Sequence, residues 1–190
     1  MPNFKYDLLI PRYNYDTGFY IPVFASPTVT LTPGNDRSTA FFLRWTSNGF
    51  TEGIMSLQTI KYLFTSTFTG CSFWFRIANG NLYVRHESLM NQDAKHISDG
   101  YTLVYNSIND EISMKIVGDP DEPMGKQSRM GYVTCYIEAF RVVFVIHNVG
   151  MFEQYENTQT GPKVVNKAHQ ILSEKVLEFP IQQVLRLRGG

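Results

Sequence analysis

Two runs of strand-forming residues, Phe73-Trp74-Phe75 and Leu82-Tyr83-Val84-Arg85-His86, flank Ala78-Asn79-Gly80-Asn81, and this stretch restricts the fold more tightly than any other. Aromatic and β-branched side chains favour extended backbone, and an Asn-Gly pair tolerates the two positive φ angles that a two-residue hairpin turn demands. The pattern predicts an antiparallel hairpin over 72–86. Closing that hairpin brings its ends side by side, so Cys71 and His86, fifteen residues apart, become neighbours in space.

Elsewhere the chain also leans towards strand. Prolines punctuate residues 1–35 as an irregular arm, within which Ser26-Pro27-Thr28-Val29-Thr30-Leu31-Thr32 alternates polar and apolar, as a half-buried strand does. Further strands are predicted at 38–46, 101–106, 112–117, 131–137 and 140–147, with a polar loop over 118–130. Two segments read as helices. Ile54, Leu57, Ile60 and Leu63 recur at three-residue steps and predict a short helix over 56–63. Val164, Val165, Ala168, Ile171, Leu172 and Val176 predict a longer one over 163–178, stopped by Pro180. The fold class is then α+β: a β-rich sandwich of mostly antiparallel strands with a few flanking helices, residues 1–180 forming one domain and 181–190 an extended tail.

Charge and composition exclude several functions. Seventeen Lys plus Arg balance seventeen Asp plus Glu, so a bulk electrostatic grip on nucleic acid is not expected. Fourteen Phe and eleven Tyr argue against disorder, and no run approaches the roughly 18 apolar residues that a helical membrane span needs. The N-terminal residues lack the apolar stretch of a signal peptide, so classical secretion is not expected. Two cysteines and four histidines show no zinc-ligand spacing, and Cys135, inside Tyr132-Val133-Thr134-Cys135-Tyr136-Ile137, reads as a core residue. No phosphate-binding loop or dinucleotide fingerprint is present.

A cysteine works as a nucleophile when a neighbouring base takes its proton, and an imidazole does this best when a third group orients it. Cys71 and His86 meet the first condition if the hairpin forms, and Thr65, six residues before the cysteine, is a candidate for the third group. The stretch Leu63-Phe64-Thr65-Ser66-Thr67-Phe68-Thr69-Gly70-Cys71, with its following hairpin and His86, resembles the site of the cytotoxic necrotizing factor and Burkholderia lethal factor group of glutamine deamidases. The bacterial chemotaxis-receptor deamidases share the related Thr, Cys, His arrangement. Thr69 stands where the group usually has Ser, and Phe68 where it has Leu.

The resemblance implies a toxin or effector that converts a target-protein glutamine to glutamate in the cytosol of a eukaryotic host after delivery. Cys71 would be the nucleophile, His86 the base and Thr65 its orienting group, with no metal or cofactor. The backbone amide of Cys71 and a nearby loop would bind the oxyanion. A Rho-type small GTPase or a translation factor would be the target by analogy. The plain structural alternative makes Cys71 a small buried hydrophobe and His86 a strand-end residue satisfied by a carbonyl.

Val184-Leu185-Arg186-Leu187-Arg188-Gly189-Gly190 is identical to the last seven residues of ubiquitin. Two glycines without side chains can thread a narrow enzyme channel. The tail reads as a cleavage signal for a host deubiquitinase, as a segment that becomes conjugated, or as a fusion scar. A rival function follows: a non-catalytic β-rich interaction module recognised or conjugated through its tail, with Cys71 buried and inert. A third reading, a cysteine hydrolase acting on ubiquitin itself, would treat the tail as a substrate mimic.

Overall fold

The computed structural model describes residues 7–88, 91–107, 115–119 and 122–181. In chain order these form β1 (Ile10–Pro11), β2 (Gly18–Ala25), β3 (Thr28–Pro33), β4 (Ala40–Leu43), β5 (Gly49–Ser56), β6 (Tyr62–Thr65), β7 (Cys71–Ala78), β8 (Asn81–Ser88), α1 (Asp93–Ser98), β9 (Thr102–Asn106), β10 (Lys115–Asp119), β11 (Glu122–Glu138), β12 (Arg141–Thr158) and β13 (Gly161–Pro180). The strand-rich, mainly antiparallel character read from the sequence is present. The flanking helices are nearly absent: among the described residues only the six-residue α1 is helical.

Among the described residues there are two sheets. The larger runs β1-β3-β2-β4-β6-β11-β12-β13, with β10 pairing β11 off that path, and the smaller runs β5-β8-β7-β9. Among the described residues only β1 with β3 and β4 with β6 pair in parallel. All four residues of β4 are buried, so this strand has no solvent face. Phe41 and Leu43 join one apolar cluster, while Ala40 and Phe42 join another on the opposite face of the sheet. The first cluster draws on both sheets: Phe73, Phe75, Leu82 and Val84 from β7 and β8 meet Val133, Cys135, Val142 and Phe144 from β11 and β12. Removing this apolar area from water is what holds the sheets against each other.

The hairpin predicted over 72–86 forms as β7 and β8, extended by one residue at its start and two at its end. Its turn places Asn79 at φ 52° and Gly80 at φ 74°, the left-handed pair that favours Asn-Gly.

Both predicted helices are replaced. Residues 57–61 contain one helical-type turn, in which the Ile60 amide donates to the Ser56 carbonyl, and the chain then extends into β6. Leu57, Ile60 and Leu63 do reach one apolar cluster, but from a turn and a strand. Residues 163–178 lie in β13, which stays extended to Pro180. The register of β13 against β12 slips by one residue between Ile171 and Ser173 and again between Val164 and Asn166. Each bulge shifts the alternation of side chains, so the apolar residues fall at intervals of three and four and imitate a helix. The predicted loop over 118–130 is strand at all of its described residues, 118–119 in β10 and 122–130 in β11, while 120–121 lie outside the described residues.

Candidate functional site

Cys71 opens β7, directly after Gly70, which takes φ 90° and so turns the chain into the strand. On β8, Ser88 lies opposite Cys71 and His86 opposite Phe73. Residues paired across an antiparallel ladder point to the same face, so Cys71, Phe73 and His86 share one side of the small sheet. Cys71 and His86 are diagonal neighbours, a relation that separates side-chain origins by roughly 7–8 Å.

The imidazole of His86 is fully buried and stacks on the Phe68 ring, with centroids 4.0 Å apart and planes 17° from parallel. Both ring nitrogens lack a hydrogen-bond partner. Burial therefore lowers its pKa to about 3, and the ring is neutral at physiological pH. Cys71 is 5 % exposed. Burial pushes its thiol pKa up, a backbone hydrogen bond with Thr69 pulls it down, and the Glu87 charge pushes it up again, for a net rise. The two groups stand as a neutral thiol and a neutral imidazole.

Thr65 does not orient His86 here. Its hydroxyl donates to the Val133 carbonyl at 3.1 Å, across the β6–β11 pairing, and belongs to the large sheet. The Cys71 amide is also engaged. It donates to Ser107 Oγ at 2.8 Å, and the Gly70 amide donates to the same oxygen at 3.0 Å, while that hydroxyl donates to the Cys71 carbonyl at 2.8 Å. Two successive N–H groups converging on one oxygen form the kind of cradle that binds an anionic oxygen. Ser107 carries no motif, and sequence reasoning missed it; only the fold brings it to the start of β7.

The opposite face of the same hairpin holds a second polar cluster. Glu87 Oε2 receives hydrogen bonds from Ser72 and lies 3.1 Å from His96 Nε2, while Glu87 Oε1 accepts the Gln92 amide. Arg85 bridges Glu52, at 2.7 Å, and Asp99, also at 2.7 Å, and its Nη1 is 3.2 Å from His96 Nδ1. An arginine only donates, so Nδ1 accepts and Nε2 carries the proton towards Glu87. His96, predicted in a polar loop, is fully buried on α1. Every group in this network has a partner, which suits it to fastening α1 onto the sheet.

The other expected groups fall elsewhere. Cys135 is fully buried and its thiol pKa is raised strongly by burial. His147 pairs with Glu174 at 2.9 Å. Leu185, Arg186, Leu187, Arg188, Gly189 and Gly190 lie outside the described residues. Among the described residues no cluster of three or more His, Cys, Asp or Glu could hold a metal ion, and no helix is long and apolar enough to cross a membrane. No protein-family model and no characterised protein matches the chain.

Proposed function

We propose that the protein is a cysteine-dependent protein-glutamine deamidase, with Cys71 as nucleophile and His86 as its base. The observation that carries this reading is His86: a fully buried imidazole with both nitrogens unpartnered, on the same sheet face as the thiol. A buried polar group without a partner costs roughly 1–3 kcal/mol, which a purely structural position would not require. The Gly70 and Cys71 amides, converging on Ser107 Oγ, support it with donors for an oxyanion.

Burial holds the His86 pKa at about 3, which makes the ring too weak a base for the raised thiol, so the reaction begins when Phe68 moves off the ring and water reaches it. The wetted imidazole then takes the Sγ proton as Sγ attacks the glutamine carboxamide carbon. The tetrahedral oxyanion takes the two amide donors in place of Ser107 Oγ. As the C–N bond breaks, the imidazolium gives its proton to the departing nitrogen and ammonia leaves. Water then adds to the thioester with His86 as base, releasing the glutamate carboxyl group and restoring the thiol. Entry of the substrate requires Phe68 to leave the imidazole. Thr65 takes no part in this chemistry; its hydroxyl holds the Val133 carbonyl in the large sheet.

In this reading the two sheets are the layers of a sandwich, on the strength of their shared apolar cluster. The target is a host cytosolic protein, with a small GTPase or a translation factor as the analogous classes. The tail over 184–190 serves a deubiquitinase or other ubiquitin machinery. A second reading, the non-catalytic interaction module, draws on the burial of Cys71 and the rise of its thiol pKa.

The separating experiment follows iodoacetamide labelling of Cys71 against pH in wild type and His86→Ala, with Cys135 as internal reference. Incubation with host cytosolic extract then reads glutamine-to-glutamate conversion by mass spectrometry, with Cys71→Ser as control. Faster labelling of Cys71 that depends on His86, together with Cys71-dependent conversion, supports the deamidase. Two thiols that react only on unfolding, and no conversion, leave the interaction module.

A further inference from the structure

β13 is the last strand of the large sheet, and among the described residues nothing pairs with its outer edge. It is twenty residues long and exposed over most of its length. An edge of this kind offers a row of backbone donors and acceptors to another strand.

The side chains on the edge are self-complementary. Through the register with β12, residues Val164, Lys167, His169, Ile171, Glu174 and Val176 share one face, opposite Tyr155, Glu153, Met151, Val149, His147 and Val145. Running β13 antiparallel to a second copy about a two-fold axis at Gln170 places His169 opposite Ile171. The one-residue bulge at Leu172–Ser173 then lies opposite Ala168, which advances the pairing so that Lys167 meets Glu174. The second bulge, at Val165, brings Val164 opposite Val176. Lys167 already pairs with Glu153 at 3.3 Å and Glu174 with His147 at 2.9 Å, on that same face. The self-pairing therefore continues a polar row, Glu153, Lys167, then Glu174 of the second copy hydrogen-bonded to its His147, and repeats it on the other side of the axis. Lysines and bulges on an edge ordinarily prevent pairing. Here Lys167 falls opposite Glu174, while Lys163 and Lys175 face Leu177 and Asn166, and the two bulges set the register that brings the Lys167–Glu174 pair together.

We infer that the β13 edge is the interface of a homodimer, formed by antiparallel pairing of β13 with β13 of a second copy through the Lys167–Glu174 contacts. A two-fold contact of this kind closes at two copies and does not propagate. The inference does not depend on Cys71 or His86.

Analytical ultracentrifugation of the full chain tests it, at concentrations up to about 0.2 mM, where even a weak dimer is populated. Wild type is expected at twice 21.8 kDa. Lys167→Glu and Glu174→Lys each place like charges at both contacts and should weaken the dimer about tenfold or more. An equimolar mixture of these two variants restores opposite charges at both contacts, so it should form a heterodimer that neither variant forms with itself. Circular dichroism checks that each variant is folded, and the mixture keeps the test valid if either is partly destabilised. A wild type that stays at 21.8 kDa, variants that dimerise as well as wild type, or a mixture no tighter than its components overturns the proposal. So does a dimer that forms only after residues 182–190 are deleted, since that segment of the same chain would then occupy the edge.

Discussion

At His86 stability and proposed chemistry pull in opposite directions. Both nitrogens lack partners, so His86→Leu should stabilise the fold by about 1–2 kcal/mol at pH 7 in urea denaturation while abolishing turnover. The linkage sign is fixed by the depressed pKa. In the folded state the ring binds a proton only near pH 3, whereas in the unfolded chain it does so near 6.5. The unfolded chain alone takes up this proton between about 6.5 and 3, so the folded state loses stability as pH falls through that window, by on the order of 3–5 kcal/mol, and the loss is absent above 6.5. Denaturation series for wild type and His86→Leu should diverge in that window, and parallel curves would show that the imidazole is not held neutral. Thr65 gives the contrasting case. Its hydroxyl bonds the Val133 carbonyl, so Thr65→Val should cost about 1 kcal/mol and leave the labelling rate of Cys71 unchanged. A slowed thiol would instead tie Thr65 to the imidazole.

The β7–β8 hairpin is the element on which both polar clusters depend, because its two faces carry different chemistry. One face presents Cys71 and His86 to the apolar interior, and the other presents Ser72, Trp74, Arg85 and Glu87 to α1. Six residues are too few for a helix to be stable alone, so α1 rests on these contacts. Glu87→Ala would leave Ser72 and His96 without their shared acceptor in a buried setting. It should cost about 3 kcal/mol and raise amide exchange through α1, while an unchanged exchange pattern would mean that apolar packing alone holds the helix. Among the residues of this face Trp74 and Arg85 belonged to recognisable sequence runs. Glu87 and His96 became legible once the register placed them together.

Across the whole molecule the two sheets are joined by aromatic packing. Phe144 of β12 lies 4.9 Å from Phe75 and 5.7 Å from Phe73, ring centroid to centroid, and is fully buried. Phe144→Ala should cost about 3–5 kcal/mol and lower the melting of both sheets together. Two separated calorimetric transitions in the variant would mean that the sheets fold as independent units.

The hairpin was determined locally. Asn79-Gly80 between β-forming runs leaves the backbone one good way to turn, and the proximity of Cys71 to His86 follows from the ladder alone. The strand-rich character was equally plain in the aromatic and β-branched composition. The state of residues 163–178 was decided by the tertiary structure, because two bulges give a strand the apolar spacing of a helix and only pairing with β12 fixes the extended form. The partner of Thr65 and the meeting of Gly70, Cys71 and Ser107 were decided in the same way. Those contacts join residues tens of positions apart in the chain, and hydrogen bonds over such separations leave no periodicity or spacing in a sequence.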